Sequence, residues 1–452
     1  MEKTERANFG SRLGIILATA GSAVGLGNVW RFPTMTGENG GAAFILIYII
    51  CVALLGIPCM MSEFIIGRRA QANAARAYKT LAGRTPWRYI GYFGVVTGFL
   101  IASYYAVVSG WCLQYIFAAG SGQISGDPQS VVEYFGTFST NPWQPIVCLV
   151  AFMLLSHFVI VRGVEKGIEK ASKLMMPLLF ILLVMIAVAA CMLPNASQGI
   201  KFLFSPDFSK VDGNTLLGAL GQAFFSLSLG MGCLCTYASY FKRDTHLMKS
   251  AVQIASIDTL IAILAGLMIF PAVFSVGGNA DAGASLVFIT LPNVFNQAFA
   301  AVPLVGIIIA VLFYLLLSVA ALTSLISLHE VCTAFLHEEL NMSRRRGATI
   351  VTVLCSIIGC LCSLSFYNTD IQLFGRQLFD LFDFTTGQIF LPLGGFLTCL
   401  FVGWYVPKHI LREEFTNQGT LRGRFFNIYM VCVRYFCPLC ILLIFLHQME
   451  II

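Results

Sequence analysis

Apolar residues recur along the chain in long stretches separated by short polar connections. A helix needs about 20 predominantly apolar residues to cross a bilayer, and stretches that reach or approach this length occur throughout the sequence. The predicted spans, numbered one to eleven, are 13–36, 42–66, 89–118, 145–161, 174–193, 216–240, 250–276, 302–336, 348–366, 383–406 and 427–447. The pattern therefore predicts an all-α membrane protein with about 11 transmembrane helices.

Composition agrees with this picture. The chain has 452 residues, of which 58% are hydrophobic and 11% are charged, so it is not a water-soluble domain. Its net charge of +6 follows from basic connections between spans and needs no nucleic acid. The 15 cysteines fall almost entirely within apolar spans and are interpreted as small membrane-core residues. No linker divides residues 1–452, which predicts a single domain.

Basic residues predict the orientation of the chain. Lys and Arg cluster after spans two, four, six, eight and ten, whereas the alternate connections hold almost none; these are 120–143, 194–214, 277–301 and 367–382. Cytoplasmic loops carry the excess of Lys and Arg in membrane proteins. We therefore expect a cytoplasmic amino terminus and an external carboxyl terminus.

Two spans contain glycine clusters at mid-membrane depth, at Gly21–Asn28 and Phe225–Gly232. Each glycine costs a helix about 1 kcal/mol relative to alanine, which predicts a break in both spans. The spans lie five apart and run in opposite directions, as in an inverted repeat with a binding site where the breaks meet. The predicted repeats are about 11–193 and 215–406, with an extra helix at about 427–447. Close packing of helices through small residues is the alternative explanation.

Several long motifs accompany these clusters: GSAVGLGNVWRFP at 21–33, ENGG at 38–41, GQAFFSLSLGMG at 221–232, TYASY at 236–240 and FITLP at 288–292. With these motifs the chain resembles the neurotransmitter:sodium symporter family, especially its bacterial amino-acid transporters of the LeuT type. The resemblance runs from Arg6 to the end of span eleven. It implies a LeuT-type fold and sodium-coupled import of amino acids by alternating access.

The resemblance also implies a substrate site. Backbone amides around Leu26 and Gly27 would bind the carboxylate with the Tyr105 hydroxyl, and carbonyls around Phe225 would receive the ammonium group. Apolar walls favour hydrophobic or aromatic L-amino acids. The implied substrate-binding residues are Ala23, Gly25, Leu26, Gly27, Ile101, Tyr105, Phe225, Ser226, Ser228, Met231, Ser324 and Leu328.

Two sodium ions are implied as well. Sodium is a hard cation, so carbonyl, hydroxyl and amide oxygens are its expected ligands. The first site would comprise Ala23, Asn28, Ser226 and Asp258, and the substrate carboxylate would complete it. The second would comprise Gly21, Val24, Ala320, Thr323 and Ser324. Isolated Thr and Ser side chains in helices commonly bond the preceding turn instead, which is the structural alternative.

Asp258 departs from the family pattern, which usually has Asn at about this place. A carboxylate within an apolar span is costly and is functional by default. We expect Asp258 to supply the negative charge that animal members take from chloride, so no chloride requirement is expected. The alternative is a carboxyl group kept neutral by burial. Glu63, another acid within a span, is expected to receive amides of the broken sixth span.

The resemblance implies gates on both sides of the site. Tyr105 and Phe225 would form a lid above the substrate. The outer gate would comprise Arg31 and Asp383 with Gln222 as a bridge, and the inner gate would comprise Arg6 and Glu338 with Phe9 as a plug. In span five, Gly167 and Pro177 bracket a stretch that is hypothesised to loosen and hydrate the second sodium ion.

Other functions are weaker alternatives. An ion channel would need rings of polar pore-lining residues. H-E-x-x-H, G-x-S-x-G and GxxxxGK[ST] motifs are absent, which argues against an enzyme and against an ATP-driven pump. An amino-acid sensor on the same fold stays open. Eleven spans and short outer loops favour the cytoplasmic (inner) membrane of a bacterium, since the longer loop and twelfth span of animal members are missing.

Overall fold

A computed structural model of the protein describes residues 8–277, 287–368 and 370–448. Within these ranges nine helices are long and apolar enough to cross a membrane. They are Ala42–Ala70, Pro86–Gly120, Gln144–Val161, Val164–Cys191, Leu247–Ser275, Pro303–Glu339, Arg344–Tyr367, Leu378–Tyr405 and Phe426–His447. They correspond to predicted spans two to five and seven to eleven.

The two remaining spans are broken, as the glycine clusters predict. Span one consists of Arg12–Ala23 and Gly27–Glu38, and the two halves are bent by 56°. Span six consists of Gly213–Ser226 and Cys233–Ala238, which are separated by turns. Neither half of span six is long enough to cross a membrane by itself, and residues 227–232 lie between the two halves.

Span five begins ten residues earlier than predicted, at Val164 rather than at 174. Its first turns carry charged residues that the apolar pattern excludes. Glu169 pairs with Lys173 at 2.6 Å and accepts hydrogen bonds from the Gly10 amide at 2.6 Å and the Ser11 hydroxyl at 2.7 Å. Because these partners satisfy the carboxylate, the helix continues through a polar stretch.

Short elements connect the spans. The connecting helices are Ala74–Ala82, Pro128–Ser139, Ala196–Phe204, Thr290–Ala298 and Lys408–Phe415, and 3₁₀ turns occur at Pro86–Arg88 and Phe208–Lys210. Two short antiparallel strands, Gln372–Leu373 and Arg376–Gln377, pair Gln372 with Gln377.

In the part of the chain that the structure describes, six segments within the spans have π-helical hydrogen bonding: Gly27–Arg31, Val52–Gly56, Val164–Glu169, Thr385–Phe390, Phe401–Tyr405 and Cys432–Phe436. Such turns are rare and frequently mark functional sites. The first lies directly after the break of span one. All 15 cysteines are free, and each is buried or half-buried, consistent with a role in the membrane core.

Candidate functional site

The break in span one frees backbone groups for polar contacts. The Gly25 amide donates to Asn28 Oδ1 at 3.0 Å, and the Leu26 amide donates to the Tyr105 hydroxyl at 3.3 Å. Position 25 requires glycine, because a Cβ there would lie 2.4 Å from Ser324 Oγ. The break therefore presents its backbone directly to spans three and eight.

The break in span six depends on left-handed backbone and on one carboxylate. Ser228, Gly230 and Gly232 all have positive φ angles, of 54°, 84° and 74°. Glu63 of span two accepts hydrogen bonds from the Gly230 amide at 2.8 Å and the Cys235 amide at 3.3 Å. The expected role of Glu63 as the acceptor for these amides is confirmed.

A cavity of about 60 Å³ lies where the two breaks meet. All twelve residues predicted for the substrate site line it. The structure adds four lining residues that sequence reasoning did not name for the site: Ser22, Tyr104, Ser327 and Leu391. Ser327 lies one residue before Leu328 and one turn after Ser324, so helical spacing could have found it. Leu391 comes from span ten, and no sequence signal connects it to the cavity.

A buried polar cluster adjoins this cavity. Asp258 has no solvent exposure and accepts hydrogen bonds from Asn28 Nδ2 at 2.8 Å, Ser226 Oγ at 2.8 Å and the Tyr48 hydroxyl at 3.3 Å. Asn28 Nδ2 also approaches the Asp258 carbonyl and Ser226 Oγ, both at 3.2 Å. Three of the four residues predicted for the first sodium site thus form one network. Tyr48 was not predicted, since a tyrosine in an apolar span carries no sequence signal.

A second group of oxygens lies between spans one and eight. Thr323 Oγ1 donates to the Ala320 carbonyl at 2.8 Å and to the Val24 carbonyl at 3.3 Å, and Ser324 Oγ donates to Val24 at 3.2 Å. A Cβ at Gly21 would lie 3.3 Å from the Thr323 side chain. The five residues predicted for the second sodium site are therefore neighbours. Thr323 also makes the back-bond that was the structural alternative.

A vestibule of about 270 Å³ opens above the cavity. Leu26, Gly27, Tyr104, Tyr105 and Phe225 line both spaces, so the two predicted lid residues form part of the boundary. The vestibule is also lined by Trp30, Arg31, Thr34, Val108, Phe379, Asp383, Gly387 and Gln388.

The predicted outer gate is not closed. Arg31 and Asp383 both line the vestibule, yet the ion pairs among the described residues do not include this pair. The Arg31 guanidinium instead lies 4.3 Å from the centre of the Phe225 ring. Gln222 donates to the Gly27 carbonyl at 3.4 Å and does not bridge Arg31 and Asp383 in this conformation, so its bridging role stays a prediction for the closed gate.

Phe9, the residue predicted as the inner plug, is enclosed by aromatic residues at the end of span six. It is fully buried, and its ring packs edge-on against Tyr237 and Tyr240 at 6.1 and 6.0 Å and beside Phe241 at 6.4 Å. Its amide donates to the Tyr240 carbonyl at 3.2 Å. Phe9 therefore has the packing expected of a plug. We call Phe9, Tyr237, Tyr240 and Phe241 the Phe9 cluster.

The rest of the predicted inner gate is only partly described. Glu338 accepts hydrogen bonds from the Asn73 amide at 2.8 Å and Asn73 Nδ2 at 3.0 Å. Arg6, its predicted partner, lies outside the described residues. A different ion pair is present nearby: Arg344 binds the buried Glu330 at 2.5 Å, and the Tyr240 hydroxyl donates to Glu330 at 2.6 Å. This pair was not predicted, although Arg344 and Glu330 both lie near the predicted end of span eight.

Comparison with known proteins identifies the family. The model of the Sodium:neurotransmitter symporter family matches residues 6–127 and 129–452. A sodium-dependent transporter of Bacillus subtilis, YhdH, is 38% identical over 455 residues, with 100% of both chains covered. A sodium-dependent transporter of Haemophilus influenzae is 35% identical over 460 residues, with 98% of each chain covered.

A more distant relative and a solved structure are consistent with this family. The sodium-dependent nutrient amino acid transporter 1 of Drosophila pseudoobscura pseudoobscura is 24% identical over 510 residues, covering 99% of this chain and 76% of the relative. The crystal structure of MhsT in complex with L-phenylalanine superposes with a TM-score of 0.88 at 42% identity, covering 98% of this chain and 100% of MhsT. The fold is therefore of the LeuT type. The chain is a multi-pass, sodium-dependent transporter that belongs to the sodium:neurotransmitter symporter family.

Proposed function

We propose that this transporter imports hydrophobic or aromatic L-amino acids together with sodium by alternating access. One observation carries the proposal: Ser226 lines the cavity between the two breaks and also donates to Asp258 at 2.8 Å in the adjoining polar cluster. A substrate in the cavity and a cation in the cluster would thus contact the same residue. The phenylalanine bound to MhsT and the name of the Drosophila relative support an amino acid as the substrate.

The geometry favours one orientation of the amino acid. Its carboxylate would lie at the break of span one, near the Leu26 and Gly27 amides and the Tyr105 hydroxyl. The existing bond from the Leu26 amide to Tyr105 is long, at 3.3 Å, so a carboxylate can replace it at little cost. The ammonium group would face carbonyls at the end of Gly213–Ser226 and the Ser228 hydroxyl. Ile101, Met231 and Leu328 leave apolar space for the side chain.

The first sodium ion would be bound by oxygens of Ala23, Asn28, Ser226 and Asp258. Asn28 at present directs its amide nitrogen toward Asp258 and Ser226, and its oxygen toward the Gly25 amide. Coordination by Asn28 therefore requires its amide oxygen to turn toward the ion, because sodium is bound by oxygen rather than by N–H groups. An ionised Asp258 would supply the negative charge, and transport would then need no chloride.

The second sodium ion would lie among Gly21, Val24, Ala320, Thr323 and Ser324. The Thr323 and Ser324 hydroxyls now donate to carbonyls of this same group, and an ion would take those oxygens as its ligands. Two ions crossing 100 mV supply about 4 to 5 kcal/mol, which supports roughly thousandfold accumulation of a neutral substrate. That magnitude suffices for uptake without ATP.

The gates are assigned from the same geometry. The vestibule would face the outside and the Phe9 cluster the cytoplasm, in the inner membrane of a bacterium with its amino terminus inside. Substrate binding would draw Arg31 and Asp383 together across the vestibule, and buried Gln222 Oε1, which has no hydrogen-bond partner among the described residues, could then accept from Arg31. Release would require Phe9 to leave its cluster.

Uptake into proteoliposomes tests the proposal. Radiolabelled leucine, phenylalanine, tryptophan and tyrosine are supplied with an inward sodium gradient, with potassium in place of sodium, and with gluconate in place of chloride. We expect sodium-dependent, chloride-independent accumulation of at least one of them. Sodium-dependent binding without accumulation would indicate a sensor, and flux that needs no amino acid would indicate a channel. Either result contradicts the proposal.

A further inference from the structure

Three buried cysteines from three different spans meet on the side of span two that faces spans ten and eleven. Cys59, Cys399 and Cys437 are 3%, 0% and 0% exposed, and their sulfur atoms all lie within 4.8 Å of one another. The Cys59 and Cys399 sulfurs are 3.4 Å apart. We call these three residues the thiol cluster. It lies outside the cavity, the vestibule and both proposed sodium sites.

The backbone around the thiol cluster is unusual in all three helices. Cys59 follows the π turn Val52–Gly56, Cys399 precedes the π turn Phe401–Tyr405, and Cys437 directly follows the π turn Cys432–Phe436. The Cys437 thiol lies 3.7 and 4.0 Å from the carbonyls of Leu54 and Leu55 within the first of these turns. A π turn adds a residue and costs regular helix geometry, so three of them around one group of thiols indicate more than close packing.

The thiol cluster is connected to the break of span six through two helices. Cys59 lies one helical turn before Glu63, which accepts the Gly230 and Cys235 amides. Cys399 lies in the helix whose backbone touches Gly230, because a Cβ at Gly394 would lie 2.3 Å from the Gly230 carbonyl. Spans two and ten therefore support the same break from two sides, and the thiol cluster lies where they approach each other.

Two chemistries suit three adjacent thiols. Soft metals such as Cu(I) bind thiolates, but three thiolates around one monovalent ion would place net negative charge in the apolar membrane core, which is costly. A disulfide is neutral and needs two sulfurs about 2.0 Å apart, a small approach from the observed 3.4 Å. The membrane environment therefore favours oxidation over metal binding.

We propose that Cys59 and Cys399 form a reversible disulfide when the membrane contains organic hydroperoxides, and that this bond slows transport by tying span two to span ten. One thiol attacks the hydroperoxide, the O–O bond breaks, and a sulfenic acid and an alcohol form. The second thiol then displaces water from the sulfenic sulfur, which completes the S–S bond. Two thiols are oxidised, and one hydroperoxide is reduced to an alcohol and water.

The chemical part of the test does not depend on transport. Protein in proteoliposomes is treated with tert-butyl hydroperoxide, remaining thiols are blocked with N-ethylmaleimide, and a non-reducing digest is analysed by mass spectrometry. We expect a cross-linked peptide pair containing Cys59 and Cys399 that disappears after dithiothreitol. If both residues are recovered fully alkylated, or if the purified protein holds stoichiometric copper or zinc that Cys399→Ala removes, the proposal is wrong.

The functional part rests on the proposed amino-acid transport. Hydroperoxide should lower sodium-driven uptake roughly five-fold or more, with recovery after dithiothreitol. Cys59→Ala and Cys399→Ala should resist the oxidant, whereas the matched control Cys112→Ala, which removes a fully buried thiol in span three, should remain sensitive. Equal sensitivity of all variants would overturn the regulatory role. Failure of uptake in every untreated sample would instead contradict the proposed function, and the peptide analysis would still decide whether the disulfide forms.

Discussion

Asn28 Nδ2 lies 2.8 Å from Asp258 Oδ1, and neither residue is exposed to solvent. The contact joins the first residues after the break of span one to the middle of span seven. The contact now turns the Asn28 nitrogen toward the carboxylate, so binding of a sodium ion by the Asn28 oxygen requires this hydrogen bond to be exchanged for an ion–oxygen contact. The pair is therefore the most direct place to test how sodium enters the site.

Replacing Asp258 by Asn removes the charge while preserving the size of the side chain. We expect the sodium concentration for half-maximal uptake to rise about ten-fold, equivalent to about 1.4 kcal/mol. Chloride should then stimulate uptake, because an anion can replace the missing negative charge. Initial rates of uptake measured against sodium, in chloride and in gluconate, check this.

Tyr48→Phe is the matched control, since it removes a weaker 3.3 Å hydrogen bond to Asp258 but leaves the carboxylate. It should change sodium dependence much less. Unaltered sodium and chloride dependence in Asp258→Asn would refute the proposed role.

A methyl group at Gly25 should block the substrate site. Its Cβ would lie 2.4 Å from Ser324 Oγ and 3.1 Å from the Tyr105 hydroxyl. Overpacking of this kind costs about 1–3 kcal/mol, so substrate affinity of Gly25→Ala should fall roughly ten-fold or more. Equilibrium binding of radiolabelled substrate in detergent measures the effect.

Adding Ser324→Ala to Gly25→Ala makes room and should recover part of the affinity, if the contact is the cause. Gly213→Ala is the control, because nothing lies within 4 Å of a Cβ at that position. Wild-type affinity in Gly25→Ala would contradict the close approach of spans one and eight.

Thr323→Val preserves shape and removes the hydroxyl that contacts the Val24 and Ala320 carbonyls. We expect uptake by this variant to depend less on the sodium concentration. The Hill coefficient for sodium should also fall, because one ligand of the second ion is lost. Thr97→Val is the matched control, because among the described residues the Thr97 hydroxyl bonds only the Phe93 carbonyl of its own helix, at 2.9 Å. If the two variants behave alike, Thr323 serves only as a helix back-bond.

Pro177 interrupts the hydrogen bonds of span five, which begins with the π turn Val164–Glu169. Pro177→Ala should stiffen this helix and slow release of the second sodium ion, so maximal uptake rate should fall several-fold at unchanged substrate affinity. Pro271→Ala tests whether any intrahelical proline has this effect, because Pro271 lies inside span seven. An uptake rate equal to wild type in Pro177→Ala would exclude the loosening of span five.

The sequence predicted the parts of the site that depend on local backbone conformation. Glycines at 25, 230 and 232 are required by close approach or positive φ, so their pattern reveals the breaks and the cavity between them. Tyr48 and Leu391 were missed because only tertiary packing brings them to the site. The start of span five was missed because two of the three partners that satisfy Glu169, Gly10 and Ser11, lie more than 150 positions away.

The outer gate illustrates a different limit. Motifs predicted Arg31, Asp383 and Gln222 as gate residues, and the structure places the first two around one vestibule. Whether they touch depends on conformation, which a residue pattern does not specify. Gln222 therefore contacts Gly27 in the described arrangement rather than the charged pair.

The two sides of the cavity are sealed very unequally. Three aromatic rings and a backbone hydrogen bond hold Phe9 on the proposed cytoplasmic side, whereas on the other side the rings of Tyr105 and Phe225 border a vestibule of about 270 Å³. A competitive inhibitor arriving through the vestibule would find its site already formed and bind at a rate proportional to its concentration. The same compound presented from the Phe9 side would have to await a rare opening, and its binding rate would level off at the frequency of that opening.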